Sequence, residues 1–301
     1  MQDKRDTQGR LFDPALLTVR RDRARRLGFE GHGDFLHREV ADEVADRLLE
    51  VTRSFHESCV VSWAGSIYAQ ALQGRVGNVT CVADATPEVL ALEAESLDLI
   101  VSGLELHVAN DPVGQLVQMR RALRPDGLML AAMFGGQTLA ELRAALAEAE
   151  AELSGGLSPR VAPMAEIRDL GALLQRAGFA MPVADSRRIE VTYDQPLALM
   201  ADLRRMGEAN VLSGRRPGFM RRDVLARACD IYQQNFATGD GRVKATFEVV
   251  FLTGWAPGPD QPVALRPGSA TARLADALGA SEQALPDKAA GPSQGPGKKE
   301  G

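Results

Sequence analysis

Apolar positions in this chain alternate between two periods. LDLIVS at 97–102 and LMLAAMF at 128–134 are continuous apolar runs, as in strands covered on both faces, and an amphipathic helix lies between them. Arg124-Pro125-Asp126-Gly127 stops that helix, because Pro and Gly cannot continue it, and the next strand follows at once. The stretch 97–136 therefore reads as strand, loop, helix, turn and strand, half of a doubly wound α/β sheet. Ligands in such sheets sit beyond the carboxyl ends of the strands, so the loops 102–111 and 134–138 should face a cleft.

The same periods organise the rest. A basic helix is predicted over 13–27, and a lead-in helix over 34–52 places Phe35, Val40, Val44, Leu48 and Leu49 against the sheet. Strands at 59–63 and 79–83 flank a short helix at 67–72, and PEVLALEAE at 87–95 has helical spacing. Downstream, a helix over 138–152 has Thr138 as N-cap and Glu141 as its capping-box partner. A Gly- and Pro-bearing loop over 154–163 follows, then a helix over 165–177 ended by Gly178 and a strand at 187–193. Helices at 196–206 and 222–236 precede a last strand at 246–253, while the Pro-, Gly- and Ala-rich tail cannot bury enough apolar surface to order itself.

This order predicts an α/β, Rossmann-like class I methyltransferase fold with N-terminal helices and a helical insertion before the last strand, parallel strands first and the last antiparallel. The expected division is 1–57 for the N-terminal basic and lead-in helices, 58–256 for the Rossmann domain with its insertion at 195–238, and 257–301 for a disordered tail.

Composition narrows the function. A net charge of −5 over 301 residues argues against a general nucleic-acid binder, which needs a positive field. One local exception is Arg20, Arg21, Arg23, Arg25 and Arg26 on the first helix, read as a solvated face with an acidic-partner site as the alternative. Cys59, Cys81 and Cys229 are odd in number and lack a C-x-x-C pair, so inert buried thiols are expected rather than disulfides or a metal site. His32, His37 and His56 show no metal-ligand spacing either. With no leader-like start and no apolar window of membrane-spanning length, the expectation is a cytoplasmic protein, with peripheral membrane association left open.

Several segments carry a more specific signal: LFDPALL, LDLIVSGLELHVANDP, RRALRPDGLMLAAMFGGQTLAELR, GGLSPRVAP, RDLGALLQRAGFAMPVAD, LMADLRRMGEAN and ATFEVVFLTGWAP. Through them the chain resembles the methyltransferase-fold assembly factors of respiratory complex I, relatives of the malonyl-carrier methyltransferase of biotin synthesis, over most of residues 11–270. The resemblance implies S-adenosylmethionine as cofactor and a complex I subunit or assembly intermediate as partner. For the mitochondrial relatives it implies hydroxylation of an arginine on a peripheral-arm subunit.

Enzymes of this fold hold the cofactor with a first-strand loop D-x-G-x-G-x-G, whose glycines let backbone N–H groups approach the ligand. Here the register reads Val60-Val61-Ser62-Trp63-Ala64-Gly65-Ser66: Val60 stands at the acidic position, and Ser62, Ala64 and Ser66 at the glycines. One strand and one acid, Asp84, appear where two of each are expected. Asp84 could serve the ribose or the adenine. Each lost charge-assisted bond weakens binding by about 1.5–3 kcal/mol, so two such losses would move a micromolar ligand to millimolar.

The candidate cofactor residues are Trp63, Ala64, Gly65, Ser66, Asp84, Ser102 and Gly103, and the catalytic candidate is His107. Glu105 and Asp111 flank that histidine, with Asp111 read as the N-cap of the next helix. Phe134-Gly135-Gly136 permits close approach of a ligand. Arg204, Arg205, Met206, Gly207, Glu208 and Asn210 of the insertion form a candidate partner surface, and Trp63 is a core aromatic that could fill the vacated cofactor space. Three functions stay open: an assembly factor that modifies or binds a complex I subunit, a non-catalytic binding factor with a degenerate cofactor site, and a conventional carrier-protein or small-molecule methyltransferase.

Overall fold

The structure, a computed structural model, describes residues 9–28, 33–83, 88–259 and 261. Asp84, His32 and all of the predicted tail beyond Gln261 lie outside them. Helix α1 (Pro14–Arg26) starts where its sequence says it should: Pro14 occupies the first turn, and the Asp13 side chain accepts the Leu16 N–H at 3.0 Å. Helix α2 (Phe35–Leu49) buries Leu36, Val40, Ala41, Val44 and Leu48. Leu49 is exposed, one position past the apolar stripe.

Strands β1 (Glu57–Val61), β2 (Asn78–Val82), β3 (Leu97–Gly103) and β4 (Leu123–Phe134) are parallel. Helices α3 (Gly65–Ala71) and α4 (Pro112–Ala122) make two of the crossovers, with the Asp111 side chain capping α4 through Gly114 N–H at 2.7 Å. After them come α5 (Ala140–Ser154), α6 (Ile167–Arg176), β5 (Ala180–Tyr193), α7 (Pro196–Arg205), α8 (Arg222–Phe236) and β6 (Val243–Trp255). The sheet order is β2-β1-β3-β4-β6-β5, and β6 runs antiparallel to both its neighbours. Apolar side chains of α2, α3, α5, α7 and α8 cover one face of the sheet; those of α4 and α6 cover the other. This is the expected Rossmann-like class I plan, with α7 and α8 as the insertion before the last strand. Among the described residues no helix is long and apolar enough to cross a membrane.

Some local expectations are corrected. Residues 88–95 form no helix: Leu90 is buried and its N–H donates to Gln118 Oε1 at 2.8 Å, which ties the segment to α4 in an open path. Both final strands run longer than their alternation suggested, because β5 and β6 pair from Ala180–Trp255 to Tyr193–Val243. Cys81 is exposed rather than buried, since β2 is the sheet edge. Arg21 is buried, so the basic face of α1 is not uniformly solvated.

Thr138 is not the cap of α5 either. Its hydroxyl donates to Glu248 C=O at 3.0 Å and accepts Glu248 N–H at 3.1 Å, while the cap position falls to Leu139 in the left-handed region at φ 55°. Glu141 faces the sheet instead of the helix start: its carboxylate accepts Thr246 N–H and the Thr246 hydroxyl. Both side chains are drawn off the helix end by β6, whose backbone they satisfy. Thr138→Val should therefore cost about 1–3 kcal/mol in chemical denaturation. Thr138→Asp, an equally good cap, should destabilise at least as much; an unchanged Asp variant would restore the capping role.

Candidate functional site

Two spaces open beyond the carboxyl ends of β1, β3 and β4, and they differ in what fills them. The first is the nucleoside side. Ser62 sends its hydroxyl to Gly103 C=O at 2.8 Å and accepts Ala64 N–H at 3.2 Å, and Gly65 N–H donates to Ser62 C=O at 3.1 Å. Trp63 N–H donates to Glu105 Oε1 at 2.6 Å. The amides of Trp63, Ala64 and Gly65, which a glycine-rich loop would offer to a ligand, are thus spent inside the protein.

Glu105 turns inward because Leu104 before it takes a left-handed φ of 54° at the end of β3. Its second oxygen meets Arg21 of α1, Nη1 to Oε2 2.8 Å, both side chains at most 3% exposed. Burial raises the Glu105 carboxyl, against the pull of Arg21 and the Trp63 amide. Around this pair stand aromatic groups. Trp63 and His37 meet edge to face at 5.3 Å between centroids, and His37 Nδ1 lies 3.2 Å from the Tyr68 hydroxyl. The Tyr68 ring lies so close over Gly103 that an added Cβ would fall 2.2 Å from it. Arg25 reaches over the Trp63 ring and donates to Ala83 C=O at 3.2 Å.

A space of about 10 Å³, room for one water, remains between α1 and the loop after β3, beside Arg21 and Glu105. With the amides of Trp63, Ala64 and Gly65 bonded within the protein, the residues present do not fit S-adenosylmethionine held in the usual cradle. Trp63, Ala64, Gly65, Ser102 and Gly103 do come together as the sequence places them, buried around Glu105, while Ser66 is exposed at the start of α3. Glu105 itself was named only as a neighbour of His107. Its partner lies on a distant helix, and a lone Arg among five on α1 carries no signal of burial.

The second space is a cavity of about 170 Å³ between β4, α5 and the insertion, walled by Phe134, Leu139, Leu142, Met200, Leu203 and Phe247, with Glu208 and Arg204 also on its lining. Gly207 sets the turn that leads to Glu208: with φ 76° it ends α7, and the following Glu208 N–H returns to Leu203 C=O at 2.9 Å. That turn aims the Glu208 side chain at His107, Nε2 to Oε2 3.0 Å. His107 lies in a 3₁₀ turn (Leu106–Val108) against the Phe134 ring, 4.7 Å between centroids. Burial raises Glu208, but His107, Arg21 and His37 outweigh it and hold the carboxylate below its usual range, hence ionised. Arg160 on the rim is committed to the buried Glu150. His107, a catalytic candidate by sequence, thus lies beside the second space, paired with a residue expected only on a partner surface.

The chain is similar to several known proteins. A family model described as a methyltransferase domain matches residues 56–131. The chain is 34% identical over 286 residues to the arginine-hydroxylase NDUFAF5, mitochondrial, of Danio rerio, spanning 88% of this chain and 89% of that protein. It is 39% identical over 170 residues to the malonyl-[acyl-carrier protein] O-methyltransferase of Laribacter hongkongensis, covering 56% and 54%. Among solved structures, the YcgJ protein of Bacillus subtilis superposes with a TM-score of 0.45 at 12% identity, covering 73% of this chain and 99% of that one.

The buried pair makes a stability prediction. Glu105→Gln should cost about 3–5 kcal/mol, because Arg21 is left charged and unpaired. Adding Arg21→Met should recover much of that in denaturant unfolding; a double variant no better than the single would mean the pair is not coupled. A second prediction concerns acid. Burial lowers His37 from 6.5 to about 4, so between those values the unfolded chain binds the extra proton. Stability should fall with pH over that window by about 3 kcal/mol. His37→Gln should flatten the profile there, and a variant profile parallel to the native one would refute the assignment.

Proposed function

The chain belongs to the family of the mitochondrial arginine-hydroxylase NDUFAF5, and from that premise we propose that it acts in assembly of respiratory complex I by holding an arginine side chain of a subunit in the cavity beside His107. One observation carries this reading: a carboxylate, Glu208, on the lining of a cavity whose walls are largely apolar, with Arg204 beside it and Arg160 committed to Glu150. A guanidinium needs a carboxylate in a defined direction, its methylene stem needs apolar walls, and the Phe134 and Phe247 rings can take its flat face. His107 engages Oε2 and fixes the carboxylate, which orients the incoming fork. The steps these residues support are capture and orientation; the amides of Ser62, Trp63, Ala64 and Gly65 are bonded within the protein and not offered to a methyl donor. The NDUFAF5 relative named above is mitochondrial, and for this chain we keep the cytoplasmic setting its sequence suggests.

A second reading follows from the filled nucleoside side: a binding factor that works without S-adenosylmethionine. Calorimetric titration should then give no saturable heat below about millimolar cofactor, and tight binding would return the conventional methyltransferase to first place. For the leading proposal, the tagged protein should retain complex I subunits on purification from its own cells. Glu208→Gln should lower that retention about 10-fold or more while leaving thermal unfolding close to the native value. Mass spectrometry of the retained subunit would show whether its arginine gains an oxygen. Equal recovery with the native and Glu208→Gln proteins would sink the cavity assignment.

A further inference from the structure

Positive charge gathers beside this cavity from separate parts of the chain, because α1 packs on α7, whose Arg204 lies on the cavity lining. Arg20 and Arg23 stand one turn apart on α1, Arg204 closes α7 and lines the cavity, and Arg215 follows in the loop after it. The acids nearby are committed elsewhere: Asp22 to Arg25 at 2.8 Å, Asp202 to Arg205 at 3.1 Å, and Asp13 both to the cap of α1 and to Arg215 at 3.2 Å. Among the described residues Arg20, Arg23 and Arg204 enter no ion pair, and the Arg20 Nε is buried without a hydrogen-bond partner. Burial and then the repulsion of Arg23, Arg215 and Arg204 lower Arg20, so the four groups are close enough to feel one another. In a chain of net charge −5 this is not an excess of basic residues spread evenly. It is a cluster that repels itself at rest and is relieved by an anion.

We infer that this rim, Arg20, Arg23, Arg204 and Arg215, receives an acidic stretch of polypeptide flanking the side chain that enters the cavity. The inference rests on the cavity reading above and deepens it by giving the partner's local charge. A peptide is favoured over an anionic membrane because Arg204 lies on the lining of a concave opening that also carries the Glu208 carboxylate. A bilayer pressed there would face that carboxylate without filling the apolar walls. A peptide with alternating chemistry, acidic beside cationic, satisfies rim and interior at once.

The test is fluorescence anisotropy on the full chain with three labelled peptides: arginine flanked by glutamates, arginine flanked by lysines, and alanine flanked by glutamates. The glutamate-flanked arginine peptide should bind at least about 10-fold more tightly than the lysine-flanked one, with affinity falling as salt rises. Arg20→Glu with Arg204→Glu should remove that preference. Arg23→Gln with Arg204→Gln, both at exposed positions, should reduce it without threatening the fold. Equal affinity for the two arginine peptides, or indifference to both double variants, would overturn the rim assignment even if Glu208→Gln still weakens binding. Conversely, a rim preference that survives with alanine in place of arginine would leave the rim standing and remove the cavity reading. Binding to vesicles of phosphatidylglycerol in phosphatidylcholine through these arginines, with no peptide affinity, would also overturn the inference.

Discussion

The pairing of Arg21 with Glu105 governs how the rest of the site is arranged. A carboxylate deep in a low-dielectric interior is tolerable only with its charge met and its lone pairs used. Arg21 supplies the charge and Trp63 N–H takes the other oxygen. This places α1 against the sheet, holds the loop after β1 in its closed course and brings Trp63 under Gly207 of the insertion. Three segments far apart in the chain are thus fixed by one ion pair, and the space a nucleoside would use is taken by the groups that fix them.

The cleft of this fold is therefore divided. On one side of β3 the polar groups point at one another; on the other, the end of α7 and the start of α5 frame an open cavity with largely apolar walls that also carries Glu208 and Arg204. Leu104 and Gly207, both with positive φ, lie at the division, the first turning Glu105 inward and the second turning Glu208 toward His107. Side chains that begin two residues apart, Glu105 and His107, consequently serve different spaces. Functional specialisation here is a matter of backbone direction as much as of residue type.

Local chemistry made much of this legible beforehand. Asp13-Pro14 and Asp111-Pro112 announce helix starts, and they are where α1 and α4 begin, because a capping side chain and a preset φ act within a few residues. The continuous apolar runs gave the buried strands, and the shortened stretch between Ser66 and Asp98 foretold a narrower sheet. What escaped was set by partners distant in sequence. Thr138 and Glu141 look like a capping box but satisfy β6, and 88–95 has helical spacing but is held open by Gln118. The altered loop was readable residue by residue, yet the substitute, Glu105 with Arg21, was not, since nothing in either neighbourhood marks a buried charge.

The sheet also ends early. Among the described residues β2 is its outer strand, paired with β1 alone, and its side chains are largely open to solvent. In a nucleoside enzyme of this plan a further strand would stand beyond it and help floor the adenine ring. Point changes that return glycines to positions 62, 64 and 66 would consequently rebuild a mouth without a floor. Building a nucleoside site on this edge would demand a graft of backbone rather than single substitutions.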